Sequence, residues 1–193
     1  WGIDREKDSL AFVNAEWTIT KLEGGATAMT ARMEIFESAQ SISIIKYPAR
    51  RFRTALIHSP GEKAGKTSEI AQREGMLIAM NGSYFNMKQL TPCTYFRIAD
   101  QVLGETSASE GFRVNGVVAI KNRRGRNIVI TGCEPGQYEE VAGKWHSVLA
   151  SGPILMEDTK TVVPETMKAD ENGNGIDSFY DKRHPRSAMG YDR

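Results

Sequence analysis

The sequence predicts a single α+β domain over residues 1–193, with strand-rich mixed sheet layers and a few short helices, and three observations predict it. Short apolar segments with strand-like patterning recur between Gly, Pro and Asp punctuation, whereas helical periodicity is confined to two brief stretches. The 193 residues are 40% hydrophobic and 25% charged, the balance of a globular chain able to bury a core.

Taken in order, "EWTITKLEGGATAMTARMEIF" reads as two alternating strands around Gly24 and Gly25. "SISIIKYP" and "RTALIHSP" read as two more, each closed by a proline, so residues 1–66 form a strand-rich N-terminal part. "KTSEIAQREGMLIAM" reads as a helix with Thr67 or Ser68 as N-cap and Gly75 as its stop, then a wholly apolar strand, "MLIAM". "YFRIADQVLGE", "GVVAIKN", "RNIVITG" and "SVLASGPILMED" read as further strands, and "PGQYEEVAGKW" as a short helix. A long polar loop, "KADENGNGIDSFYDKRH", precedes the closing "RHPRSAMGYDR", read as a strand entered past Pro185, which holds His184 extended. On that strand Arg186, Ala188, Gly190 and Asp192 share one face and Ser187, Met189 and Tyr191 the other. The first face suits a pocket floor; taken locally, an ordinary sheet end with a solvated arginine is the better reading.

Bulk properties exclude several functions. A net charge of +1 creates no field for a polyanion, and the short basic clusters "ARRFR" and "KNRRGR" do not point to nucleic acid. The second, around Gly125, reads as a solvated hairpin tip. No run approaches the roughly 18 apolar residues a membrane helix needs, and Trp1 begins the numbering without a charged-then-apolar leader. Cys93 and Cys133, without CxxC spacing, fit either a disulfide or two buried thiols and support no zinc site.

Four places can carry chemistry. In "AMNGSYFN" a strand ends at Asn81 and Gly82; Asn-Gly reads locally as a turn, while the glycine also permits another group to approach the backbone. In "LASGPILMED" Gly152 and Pro153 interrupt a core strand after Ser151, marking a bulge, a ligand near the backbone, or an edge strand. Glu74 shares a helix face with Ile70 in a last turn whose dipole disfavours an anion, so it is either an inward carboxylate or a solvated one at a frayed end. "DENGNGIDSFYD" partly matches a calcium loop through Asp170, Asn172 and Asn174, but it lacks the closing Glu and flanking helices, and a flexible Asn/Gly lid is the better reading. No cofactor is expected, with calcium at that loop the one alternative.

In their order and spacing, "IAMNGSYFN", "NGVVAIKN", "LASGPILMEDTK" and "RHPRSAMGYD" resemble the phosphodiester glycosidase family from about residue 67 to the end. The HPR-Ser-Ala-x-Gly block after Ser-Gly-Pro is the most specific element, and the N-terminal strands match only in general character. By position, the resemblance implies that Asn81, Gly82, Ser151, Gly152, Arg186 and Asp192 belong to one cleft, and His184 joins them as a substrate-binding candidate. The family pattern continues to an Asp-Gly-Gly-Gly-Ser motif that this sequence does not reach by Arg193, which implies an incomplete domain. Bacterial relatives are typically exported, so an envelope or extracellular setting is expected, in the periplasm, at the cell surface or outside the cell.

The implied reaction is hydrolysis of a sugar 1-phosphodiester on a carbohydrate substrate. Phosphate is already a good leaving group, so the protein's tasks are to hold it and to supply a carboxylate for water. Arg186 suits the first task through its planar fork, aided by backbone amides near Gly82 or Gly152. For the carboxylate, Glu74 comes first and Asp192 second; on a straight strand Asp192 lies about 20 Å from Arg186. The alternative function is a noncatalytic glycan or cell-wall binding module on the same scaffold.

Overall fold

A computed structural model describes residues 4–59, 64–162 and 184–191. The chain divides into two units, Trp1–Arg53 and Thr54–Arg193, each an assembly of antiparallel strands and short helices, an α+β fold.

The first unit opens with helix α1 (Arg5–Val13), whose N-cap Asp4 accepts a hydrogen bond from the Lys7 amide. No residue of this helix is buried, so little apolar periodicity announces it. Strands β1 (Thr18–Lys21), β2 (Thr27–Ile35) and β3 (Ser38–Lys46) follow as an antiparallel meander. The β1–β2 connection carries Gly24 and Gly25 at φ of 68° and 82°, the glycine turn read from the sequence. Buried Ala31 and Ile35 mark the inner face of β2.

The second unit contains α2 (Thr67–Arg73), β4 (Phe96–Ile98), β5 (Gln101–Gly104), α3 (Ala108–Gly111), β6 (Gly116–Ile120), β7 (Ile128–Gly132), α4 (Tyr138–Ala142), β8 (Ser147–Ser151), β9 (Met156–Glu157) and β10 (Lys160–Thr161). Its main sheet has the order β5-β4-β8-β6-β7, every neighbour antiparallel. One sheet face carries Val117, Ala119, Val148 and Ala150, buried with Tyr138 and Ala142 of α4, Tyr95, Val114 and Cys133. Buried Arg97 holds the end of α4, donating to the carbonyls of Ala142 and Trp145 at 2.8 and 2.9 Å, a cap made from a strand side chain. The hairpin turn at Gly125, with φ of 64°, is as expected, but the glycine is buried against Thr54 rather than solvated.

Several expectations are corrected. Helix α2 is capped by Lys66 rather than Thr67 or Ser68. Its end is as read: Gly75, at φ of 65°, donates to the Gln72 carbonyl and Met76 to that of Ala71, a Schellman motif. "MLIAM" forms no strand; Met76, Leu77 and Met80 are 36%, 51% and 47% exposed. Apolar composition specifies a tendency to be buried, but a strand also needs a ladder partner, and none pairs with 76–80 among the described residues. Residues 53–59 alternate in burial yet likewise lack a ladder; their backbone tie is the Thr54 amide to the Gly125 carbonyl, 2.8 Å. Residues 184–191 are irregular and exposed apart from half-buried Met189, and the space beside Gly190 is open, so they are neither a strand nor a pocket floor.

Candidate functional site

The best-organised polar cluster lies where β8 ends and β6 begins. Gly116 pairs with Ser151, so the antiparallel register carries residues 113–115 alongside 152–154. Consequently a Cβ on Gly152 would collide with the Arg113 carbonyl, and the Ile154 amide donates to Asn115 Oδ1 at 2.8 Å. The irregularity expected at Gly152-Pro153 is present, with a cis bond between the two, and the neighbouring backbone leaves no room for a side chain at residue 152.

Tyr84 reaches the same point from "NGSYF". Its hydroxyl donates to the Gly152 carbonyl at 2.8 Å, and the Arg113 guanidinium lies over its ring, 4.2 Å from the centroid. Arg113 Nε donates to Glu110 Oε2 at 2.6 Å, and Nη2 engages the same oxygen. Glu110 is the third residue of α3 and lies one helical step before Arg113; the side chains are 13% and 19% exposed. Burial pushes the Tyr84 phenol above its ordinary value, the charges of Arg113 and Arg186 oppose that shift, and Glu110 adds to it. Arg186 therefore acts on the same hydroxyl as Arg113. Cys93, whose amide donates to the Tyr84 carbonyl, feels the same pair: burial and Glu110 push its thiol up, and Arg113 pulls it down.

The expected residues fall into three groups. Asn81 and the Arg186 segment are brought together, Ser187 Oγ donating to Asn81 Oδ1 at 2.7 Å across 106 positions of sequence. Gly82 lies beside them without a hairpin: it has no positive φ, and a Cβ there would stand 2.9 Å from Leu149 Cδ2, so the local Asn-Gly turn reading gives way to close approach. Ser151 and Gly152 occupy the sheet end just described, and His184 begins the exposed segment carrying Arg186. Glu74 stands elsewhere. It is the C-cap of α2, paired with Arg73 at 2.9 Å, and borders an open pocket of about 520 Å³ with His58, Gln101 and Leu103. Asp192 and the calcium-loop residues Asp170, Asn172 and Asn174 lie outside the described residues.

Tyr84, Glu110 and Arg113 were not singled out by sequence reasoning. The available signal was the Glu-x-x-Arg spacing of 110 and 113 immediately before the strand "NGVVAI". Among the described residues, no group of three or more His, Cys, Asp or Glu side chains is placed to hold a metal ion, and no helix is long and apolar enough to cross a membrane. Both cysteines are free thiols.

The arrangement is a half-buried floor of Tyr84, Glu110, Arg113 and Gly152 beside an exposed rim of Asn81, Gly82, Arg186 and Ser187. Two guanidinium groups acting on one hydroxyl suit an anion, and one fixed carboxylate suits a proton transfer. The family model described as phosphodiester glycosidase matches residues 74–193, a span that contains every residue of this cluster. No curated protein and no solved structure matches the chain.

Proposed function

The chain belongs to the phosphodiester glycosidase family, and from that premise we propose that it hydrolyses a sugar 1-phosphodiester in an envelope or extracellular glycoconjugate. Water adds to the sugar carbon, and the bond to the phosphate oxygen breaks. The products are the free sugar and a phosphomonoester. Arg186 binds the phosphate oxygens through its fork.

The observation that carries this reading is the hydrogen bond from Ser187 to Asn81, which ties the segment of exposed Arg186 to the segment that carries Tyr84. A phosphodiester keeps one negative charge at neutral pH, which the exposed guanidinium of Arg186 can meet, Arg113 being engaged by Glu110. The exported setting rests on the family resemblance.

The test is release of reducing sugar from a synthetic sugar 1-phosphodiester by the full-length protein, with binding of the same compound measured by calorimetry. Arg186→Ala is expected to lower turnover at least about 100-fold, the scale of losing one charge-stabilising group. Because Arg186 is exposed, thermal unfolding should hardly move. A large drop in stability with specific activity retained would refute its role. Binding without release by the wild-type protein would favour the glycan-binding module. Turnover in ¹⁸O-labelled water locates the broken bond: label in the sugar means C–O cleavage, as proposed, and label in the phosphate means P–O cleavage.

A further inference from the structure

We infer that Glu110 is the general base of this reaction and that Arg113 is its positioning residue; the inference rests on the phosphodiester reading above. A Glu–Arg pair only 13% and 19% exposed is a costly way to gain stability, since desolvation offsets most of the attraction. A perturbed ion pair of this kind is a functional candidate where further polar groups gather around it. Here the pair stands beside Tyr84, which is bound to Gly152, and the Arg186 segment is tied through Ser187 to Asn81, three residues before Tyr84, so segments around residues 84, 110, 152 and 186 converge on one place.

The geometry also divides the carboxylate's work. Both Arg113 nitrogens engage Oε2, whereas Oε1 accepts no hydrogen bond among the described residues. One oxygen is anchored and the other remains available to a water molecule. Arg113 is itself held, its guanidinium over the Tyr84 ring and its carbonyl against Gly152. The carboxylate is therefore set by a chain of contacts reaching the sheet end, as a base must be to meet a water in a fixed direction. Glu74 lacks this support: its Oε1 is the oxygen paired with Arg73, and the pair lies at an open helix end.

In the step, Glu110 Oε1 takes one proton from water as the water oxygen bonds to the anomeric carbon. The bond from that carbon to the bridging oxygen breaks, and its electron pair leaves with the phosphomonoester. The proton then passes from Glu110 to the phosphomonoester or to solvent, restoring the carboxylate. A single displacement of this kind inverts the anomeric configuration.

The experiment compares wild type with Glu110→Gln and Glu110→Ala on a synthetic sugar 1-phosphodiester, with urea unfolding and proton NMR of the first-formed anomer. Expected is a fall in kcat of about 10²–10⁴ for Glu110→Gln with KM within a few-fold, partial recovery of Glu110→Ala by added formate, and inversion in the wild type. Should Glu110→Gln fail to fold, Glu110→Asp keeps the charge but withdraws the oxygen by one carbon, and the same loss in kcat is expected from it. Three outcomes overturn the inference alone while wild-type turnover sustains the family reading: Glu110→Gln or Glu110→Asp within tenfold of wild-type kcat, losses that only track the folded fraction without formate rescue, or retention of configuration. Absence of turnover in the wild type on every sugar phosphodiester tried removes the reading itself and this inference with it.

Discussion

Gly152 is a glycine because a neighbouring backbone occupies the space a side chain would need. A Cβ there would collide with the Arg113 carbonyl and stand 3.1 Å from the Asn115 amide nitrogen, atoms fixed by the strand they lead into. Gly152→Ala is therefore expected to cost about 1–3 kcal/mol of stability by urea unfolding, the usual range for overpacking against unyielding atoms. Gly132→Ala, where nothing lies within 4 Å of the added methyl, should stay within about 0.5 kcal/mol. Equal effects at both positions would contradict the packing account. Sequence chemistry identified this irregularity because glycine and proline carry their constraints locally, whereas Asn81 and Arg186 were reached through the family resemblance. It passed over Glu110, Arg113 and Tyr84, whose significance is their proximity to one another.

At the level of elements, the β2–β3 hairpin shows a local rule overridden. Ile35 pairs with Ser38, leaving the two-residue turn Phe36-Glu37 at φ of 54° and 57°, the left-handed conformation that Asn-Gly would adopt with least strain. No turn signal marks this place in the sequence, and the structure supplies an external support: Asp8 of α1 accepts from the Phe36 amide at 3.1 Å. Glu37→Gly is expected to raise stability by up to about 1 kcal/mol, relief of the left-handed conformation outweighing the entropy glycine adds to the unfolded chain. An unchanged or lowered urea midpoint would show that the turn is not strained. The opposite failure occurs at "MLIAM", where a strong local pattern does not become a strand because no partner pairs with it among the described residues.

For the molecule as a whole, the buried phenols set its behaviour in alkali. Of six tyrosines, Tyr84, Tyr95 and Tyr138 are raised chiefly by burial; Tyr95, whose hydroxyl also bonds Glu139, is pushed up to about 12. A raised folded-state value means that the native protein holds these protons more tightly than the unfolded chain, where a phenol ionises near 10. The associated stability is complete below about pH 10 and is lost as pH rises from there toward 12. Thermal midpoints should fall over that interval, while tyrosinate absorbance shows part of the tyrosine complement ionising late. Ionisation of all six near pH 10 with no fall in midpoint would contradict it.

The sequence by itself determined the α+β class, most strands of the main sheet, the glycine turns at 24–25 and 125, and the break after Ser151. Alternation, glycine and proline act within a few residues, so these features can be read along the chain. Only the tertiary structure decided which apolar segments found a ladder and which stayed exposed. It also decided that Ser187 meets Asn81 and that Glu110, Arg113, Arg186 and Gly152 gather around Tyr84. Strand pairing and electrostatic neighbourhood depend on residues up to a hundred positions apart, and no local pattern encodes them.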